Sequence, residues 1–262
     1  MSQSVIFHIF AFILGAVVGS FLNVCICRLP RKESVAYPPS RCPCCGYRIP
    51  FYDNIPIVSY LFLGGRCRSC QARISLQYPL VELVNALLTL FLFMKFGVSL
   101  TFLVLFVFCS ALVTITVIDL EHQIIPDVIS IPGIVVGFIA AFFLPLLGWR
   151  DSLIGILVGG GSLLLVAYGY QLLAKKEGMG GGDIKLLAMM GAFLGWRAVP
   201  FIIFTASLIG SIIGIAFMLA QKKDSKLAIP FGPFLAFGAI LYIFFGREII
   251  HWYFNLGGGG RG

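Results

Sequence analysis

The chain has 262 residues, of which 59% are hydrophobic and 11% charged, with a formal net charge of +8 and a mean hydropathy of +0.99. Apolar runs this long and this numerous exceed what one soluble core buries, which excludes an ordinary soluble domain and points to a polytopic membrane protein. The basic excess is not gathered in a soluble basic domain, so it reads as membrane topology and not as nucleic-acid binding.

A helix needs about 20 mostly apolar residues to span hydrocarbon. Candidates follow one another at 5–27, 79–95, 99–118, 128–148, 152–173, 184–196, 198–220 and 230–254. The expected fold class is therefore all-α, with about eight transmembrane helices. Residues 1–27 read as a retained first helix, because MSQSVIFH has no basic residue before the apolar run and no A-x-A cleavage site follows. Arg28, Arg31, Lys32, Arg41, Arg48, Arg66, Arg68 and Arg73 crowd the segment 28–78, and the positive-inside rule places it in the cytoplasm. Alternation then puts Lys175, Lys176, Lys185, Lys222, Lys223 and Lys226 on the same side, leaving Lys95, Arg150, Arg197, Arg247 and Arg261 on the other.

The cytoplasmic segment carries Cys42-x2-Cys45 and, 21 residues on, Cys67-x2-Cys70. Two such knuckles present four thiolates tetrahedrally, as in a zinc ribbon, although the gap is one residue longer than the usual range. Gly46 suits the tight turn of the first knuckle. A loop of about 50 residues has too small a core to fold alone, and a structural Zn2+ supplies the missing stability. The alternatives are unrelated free thiols, or disulfides, which a reducing cytoplasm disfavours. Cys44 competes with Cys45 for a ligand position but lacks the spacing, and Cys25, Cys27 and Cys109 read as packing residues.

Residues 79–254 read as a seven-helix membrane core. Only eleven residues of the chain are acidic, and an ionised side chain in hydrocarbon is costly without partners or water, so those abutting spans are informative. Asp119 ends the third span in VIDLEHQIIPD. Asp183 opens the sixth, DIKLLAMMGAFLGW, a run too short to cross alone and expected to be sheltered by its neighbours. Both fall at the cytoplasmic boundary, the condition for meeting as a pair. Two carboxylates in one site do not both ionise easily, which yields an acid and a base able to activate water against a peptide carbonyl. The preceding loop, with Gly180 and Gly182, allows close backbone approach and movement. The bland alternatives are an N-cap for Asp183 and a solvated helix end for Asp119. Asp127 reads as a helix cap, Lys185 as a headgroup-seeking or site-tuning cation, and Glu121 and His122 as interfacial, with His122 a candidate for proton transfer. The end, 255–262, reads as a flexible tail or an expression remnant.

The set GMGGGDIKLLAMMGAFLGW, IDLEHQIIPD, GSFLNVCICRLPR, SRCPCCG, NIPIVSYLFLGGRCRSC and ISLQYPLVEL resembles the type IV prepilin peptidases, membrane aspartyl enzymes carrying a G-x-G-D motif, here Gly180 to Asp183. The likeness covers nearly the whole chain. It implies cleavage, by Asp119 and Asp183 and without a metal at that site, of the basic leader of prepilins or pseudopilins at the cytoplasmic face of the bacterial inner membrane. The long form of the family, with the cysteine-bearing loop, also N-methylates the new amino terminus using S-adenosylmethionine. Resemblance points to Gly65 for that second activity, and Asn23, Arg28 and Glu82 are polar groups near membrane boundaries positioned to line a cofactor pocket. Besides pilin substrates and membrane lipids, no partner is implied, and no oligomeric state follows. Two other readings stay open: a proton- or cation-coupled transporter using the aspartates, and a peptidase without methyl transfer.

Overall fold

This computed structural model describes residues 2–145, 147–174, 180–221 and 230–258, which are helical except for loops, turns and two isolated β-bridges in the cysteine segment. The helices are α1 Ser2–Arg28, α2 Val58–Phe62, α3 Gln77–Phe96, α4 Leu100–His122, α5 Asp127–Ala140, α6 Trp149–Ala174, α7 Gly181–Leu194, α8 Ala198–Gln221 and α9 Gly232–Gly258. All but the five-residue α2 correspond to the apolar runs of the sequence. Among the described residues five helices, α1, α3, α4, α6 and α8, are long and apolar enough to cross a membrane, and α5 and the Gly232–Gly246 part of α9 are shorter apolar helices. The chain is a membrane protein.

Two element ends differ from the apolar runs. The fourth run was expected to continue to 148, but α5 stops at Ala140. Pro145 is the cause: extended that far, the helix would set the proline ring against the carbonyl of Ala141, and it would leave that carbonyl without its N–H partner. Helix α6 starts at Trp149, ahead of the apolar residues, with Asp151 in its first turn, where the helix dipole favours a carboxylate. Helix α9 runs on to Gly258, into the segment read as a tail. Lys175, Lys176, Lys222, Lys223, Lys226 and Arg261 lie outside the described residues.

The chain divides into two compact units, Met1–Ile118 and Asp119–Gly262. In the first, α1 lies directly on α3. A Cβ on Gly15 would stand 2.7 Å from the Ala86 Cα, and one on Gly19 would stand 2.7 Å from the Glu82 Cα. These small residues four apart let the two backbones touch where lipid supplies no hydrophobic drive. Asn85 locks the contact: its amide donates to the Gly15 carbonyl at 2.8 Å and its oxygen accepts from Ser110 of α4 at 3.0 Å. Buried polar groups in a membrane need such complete pairing.

In the second unit α7 is the central helix. Leu186, Leu187, Met189 and Met190 are fully enclosed. A Cβ on Gly155 of α6 would strike the Gly191 carbonyl of α7, and one on Gly137 of α5 would meet the Ala192 Cβ at 2.9 Å. The Ser152 hydroxyl donates to the Ala192 carbonyl at 2.8 Å. The 14-residue α7, too short to cross alone, is thus enclosed by protein.

Candidate active site and metal centre

Asp119 sits in the last turn of α4 and is only 5% exposed. A carboxylate at a helix C-terminus meets the negative end of that helix's dipole. The compensation comes from the start of α9, where the Gly232 backbone N–H donates to Asp119 Oδ2 at 3.1 Å. Asp183 is the third residue of α7, half-buried, in the first turn, where the dipole favours its charge. Asp119 lies near enough to Asp183 for the two carboxylates to interact through space. Ile125, in the link between α4 and α5, packs both against Gly182, beside Asp183, and near Gly232, the residue of α9 that holds Asp119. A Cβ on Gly182 would stand 2.9 Å from the Ile125 Cβ, and one on Gly232 would stand 3.4 Å from its Cδ1.

The motif glycines therefore have different tasks. Gly182 is a close-approach residue against Ile125. Gly180, the N-cap of α7, has extended backbone (φ −69°, ψ 135°), and a Cβ there would stand 4.0 Å from Asp183 Oδ2, an ordinary contact. Asp183 is not the cap. Nor does Asp127 cap α5: its carboxylate accepts two hydrogen bonds from Lys185 of α7, at 2.7 and 2.8 Å, so this lysine ties α7 to α5. His122 stands 4.0 Å from Glu121.

The cysteine segment belongs to the first unit. Cys42, Cys45, Cys67 and Cys70 gather with their sulfurs all within 4.8 Å of one another, and Cys42 Sγ and Cys70 Sγ are 3.8 Å apart. A tetrahedral zinc with Zn–S of about 2.3 Å requires sulfurs about 3.8 Å apart, so the donor set fits a metal ion. The knuckles are built alike. Gly46 N–H donates to the Cys42 carbonyl at 2.9 Å and Gln71 N–H to the Cys67 carbonyl at 3.0 Å, both residues being left-handed (φ 71° and 59°). Backbone N–H groups of Cys45 and Cys44 pull the Cys42 thiol down to about 6, favouring the thiolate a metal needs. Cys44 is exposed and stands outside the cluster. Arg68, inside the second knuckle, clamps Asp53 through two hydrogen bonds at 2.8 and 2.6 Å, holding the Asp53 carboxyl below its usual range.

Beside the cluster lies a cavity of about 470 Å3, within the range of small-molecule sites, whose lining includes Asn23, Arg28, Glu82, Tyr60, Tyr78 and the metal-site residues Cys42 and Cys67. Three of these polar groups also fasten the walls. Asn23 donates to the Tyr78 carbonyl at 3.0 Å, and Arg28 donates to the carbonyls of Ser34 and Pro38 at 2.9 and 2.6 Å. Glu82 Oε2 accepts from Ile57 N–H at 2.7 Å, which holds that β-branched residue at φ 63°. Gly65 stands behind the wall: it is left-handed (φ 67°), and a Cβ there would meet the Tyr60 hydroxyl at 2.8 Å. Tyr60, Ile125 and Gly232 escaped the sequence reading. Only Gly232 left a signal, a glycine between aromatic and proline in PFGPF at the mouth of an apolar run.

A buried Asp119 within electrostatic reach of a half-buried Asp183, together with four cysteines able to hold a metal ion, defines the class as helical membrane proteins with a carboxylate site and a cysteine-cluster loop. Residues 13–96 match the Bacterial Peptidase A24 N-terminal domain and residues 106–215 the Type IV leader peptidase family, and the chain belongs to that family. It is 37% identical to the prepilin leader peptidase/N-methyltransferase of Pseudomonas aeruginosa over 98% of this chain and 97% of that one. It is 42% identical to the protein of the same name from Myxococcus xanthus, over 83% and 65%, and 37% identical to that of Aeromonas hydrophila, over 92% of each. No solved structure matches. The family leaves the transporter reading without support.

Proposed function

We propose that the protein is an aspartic endopeptidase of the bacterial inner membrane. It removes the basic leader of type IV prepilins or pseudopilins at the cytoplasmic face and then N-methylates the exposed terminus. The observation that carries the peptidase reading is that Asp119 and Asp183, at the ends of two helices, lie near enough to interact through space, with Ile125 packed against Gly182 and near Gly232 beside them. A water molecule between them is the nucleophile. The ionised carboxylate takes one of its protons while its oxygen attacks the scissile carbonyl carbon. The protonated carboxyl then gives its proton to the amide nitrogen as the C–N bond breaks, leaving a new carboxylate terminus and a free amine. Gly180, at the mouth of α7, lies where the extended leader passes, and Gly182 keeps the first turn of α7 close against Ile125. The hydrophobic helix of the pilin stays in lipid, which fixes the depth of its scissile bond.

For the second activity, Zn2+ at Cys42, Cys45, Cys67 and Cys70 has a structural role, since four thiolates leave no open position. The adjoining cavity is the pocket for S-adenosylmethionine, with Asn23, Arg28 and Glu82 in its wall and Gly65 setting the place of Tyr60. S-adenosylmethionine supplies the methyl group, and these side chains bind and orient it. The test uses the detergent-purified enzyme and a prepilin, followed by mass spectrometry. The expected products are a pilin lacking its leader and, with S-adenosylmethionine present, the same pilin heavier by one methyl. An uncleaved prepilin contradicts the first activity, and a cleaved pilin never heavier by a methyl contradicts the second.

A further inference from the structure

We infer that Gly232 is a positioning residue of the peptidase, holding the Asp119 carboxylate through its backbone and yielding the space that carboxylate fills. The inference rests on the peptidase reading above. Two observations carry it. The Gly232 N–H donates to Asp119 Oδ2 at 3.1 Å, across 113 positions of sequence, in a buried setting. At the same residue a Cβ would come within 2.5 Å of Oδ2 and 3.3 Å of Cγ. The first contact fixes one oxygen of Asp119, and the second means that no residue with a side chain fits without moving it.

Asp119 needs such an anchor. It ends α4, where its own helix offers only the negative end of a dipole, and α9 turns its positive end and an unsatisfied first-turn N–H toward it. Asp119 is the more enclosed of the two aspartates, so its rotamer is set by protein contacts. Glycine is not required here for backbone freedom, since Gly232 is not among the positive-φ glycines of the chain. It is required for proximity. Gly232 also packs near Ile125, the residue that Gly182 touches beside Asp183, so a shift of Gly232 disturbs the spacing of both acids.

The test is Gly232→Ala in the full-length enzyme in detergent, compared with wild type and Asp119→Asn. Prepilin cleavage is measured over a range of substrate concentrations, and methylation of an already cleaved pilin is measured on the same preparations. Displacing a catalytic group by about 1 Å costs about 100-fold, so kcat should fall between 10- and 100-fold with KM within twofold of wild type. Methylation should stay within twofold, showing that the protein remains folded. Cleavage by Gly232→Ala within twofold of wild type, a raised KM at unchanged kcat, or parallel loss of cleavage and methylation would each overturn the inference. If instead Asp119→Asn cleaves like wild type, the peptidase reading itself fails, whatever Gly232→Ala does.

Discussion

At the scale of single residues, the chain uses glycine where chemistry needs closeness. Gly182 lies against Ile125 and Gly65 behind Tyr60, and in each case a Cβ would land under 3 Å from a side-chain atom. Gly65 has the left-handed backbone as well (φ 67°), so any replacement is strained and also presses Tyr60 toward the cavity. Gly65→Ala should therefore lower methyl transfer about 10- to 100-fold while prepilin cleavage, set in the other unit, stays within twofold, as read by mass spectrometry of one reaction. The sequence alone marked Asp119, Asp183 and the four cysteines, because a carboxylate at a membrane edge and a C-x2-C pair are rare and chemically costly. It did not mark Tyr60, Ile125 or Gly232. For Ile125 and Gly232 the meaning lies in neighbours far along the chain, Gly182 and Asp119, which local pattern does not reveal; Tyr60 is only five residues from Gly65, but that spacing does not show that its ring lies against the glycine.

Elements were legible to the extent that hydropathy governs them. The eight apolar helices follow apolar runs, and the segment between α1 and α3 stands out by its cysteines and arginines. The ends were less legible where a single residue overrode the run, as Pro145 does in stopping α5 at Ala140. Packing partners could not be read at all: that α7 is enclosed follows from its length, but that α6 touches it through Gly155 and Gly191 does not. Because that contact is backbone to backbone, no rotamer relieves it. Gly191→Ala should lower the thermal midpoint in detergent, overpacking of this kind costing about 1–3 kcal/mol. Gly161→Ala, on the same α6 but with open space around it, should leave the midpoint unchanged. Equal midpoints for the two variants would show that the α6–α7 contact has slack.

At the scale of the whole molecule, the two proposed activities fall in two compact units. The four thiols and the cavity belong to Met1–Ile118, and the paired carboxylates belong to Asp119–Gly262. Because Cys42 and Cys67 line the cavity, a metal held by them stabilises its wall. Purified protein should contain about one zinc per chain when the four-thiolate site is filled. Cys42→Ser with Cys67→Ser should lose the metal and the methyl transfer while cleavage persists. Persistence of methylation in the zinc-free variant would detach the loop from that activity.

In the proposed mechanism one active site is split between the end of α4 and the start of α7. Its most direct measurement is prepilin cleavage by Asp119→Asn and by Asp183→Asn, each isosteric with the native side chain but unable to exchange the catalytic proton. Each variant should lose at least about 100-fold in cleavage rate while still methylating a pre-cleaved pilin. Cleavage at the wild-type rate by either one would contradict that mechanism.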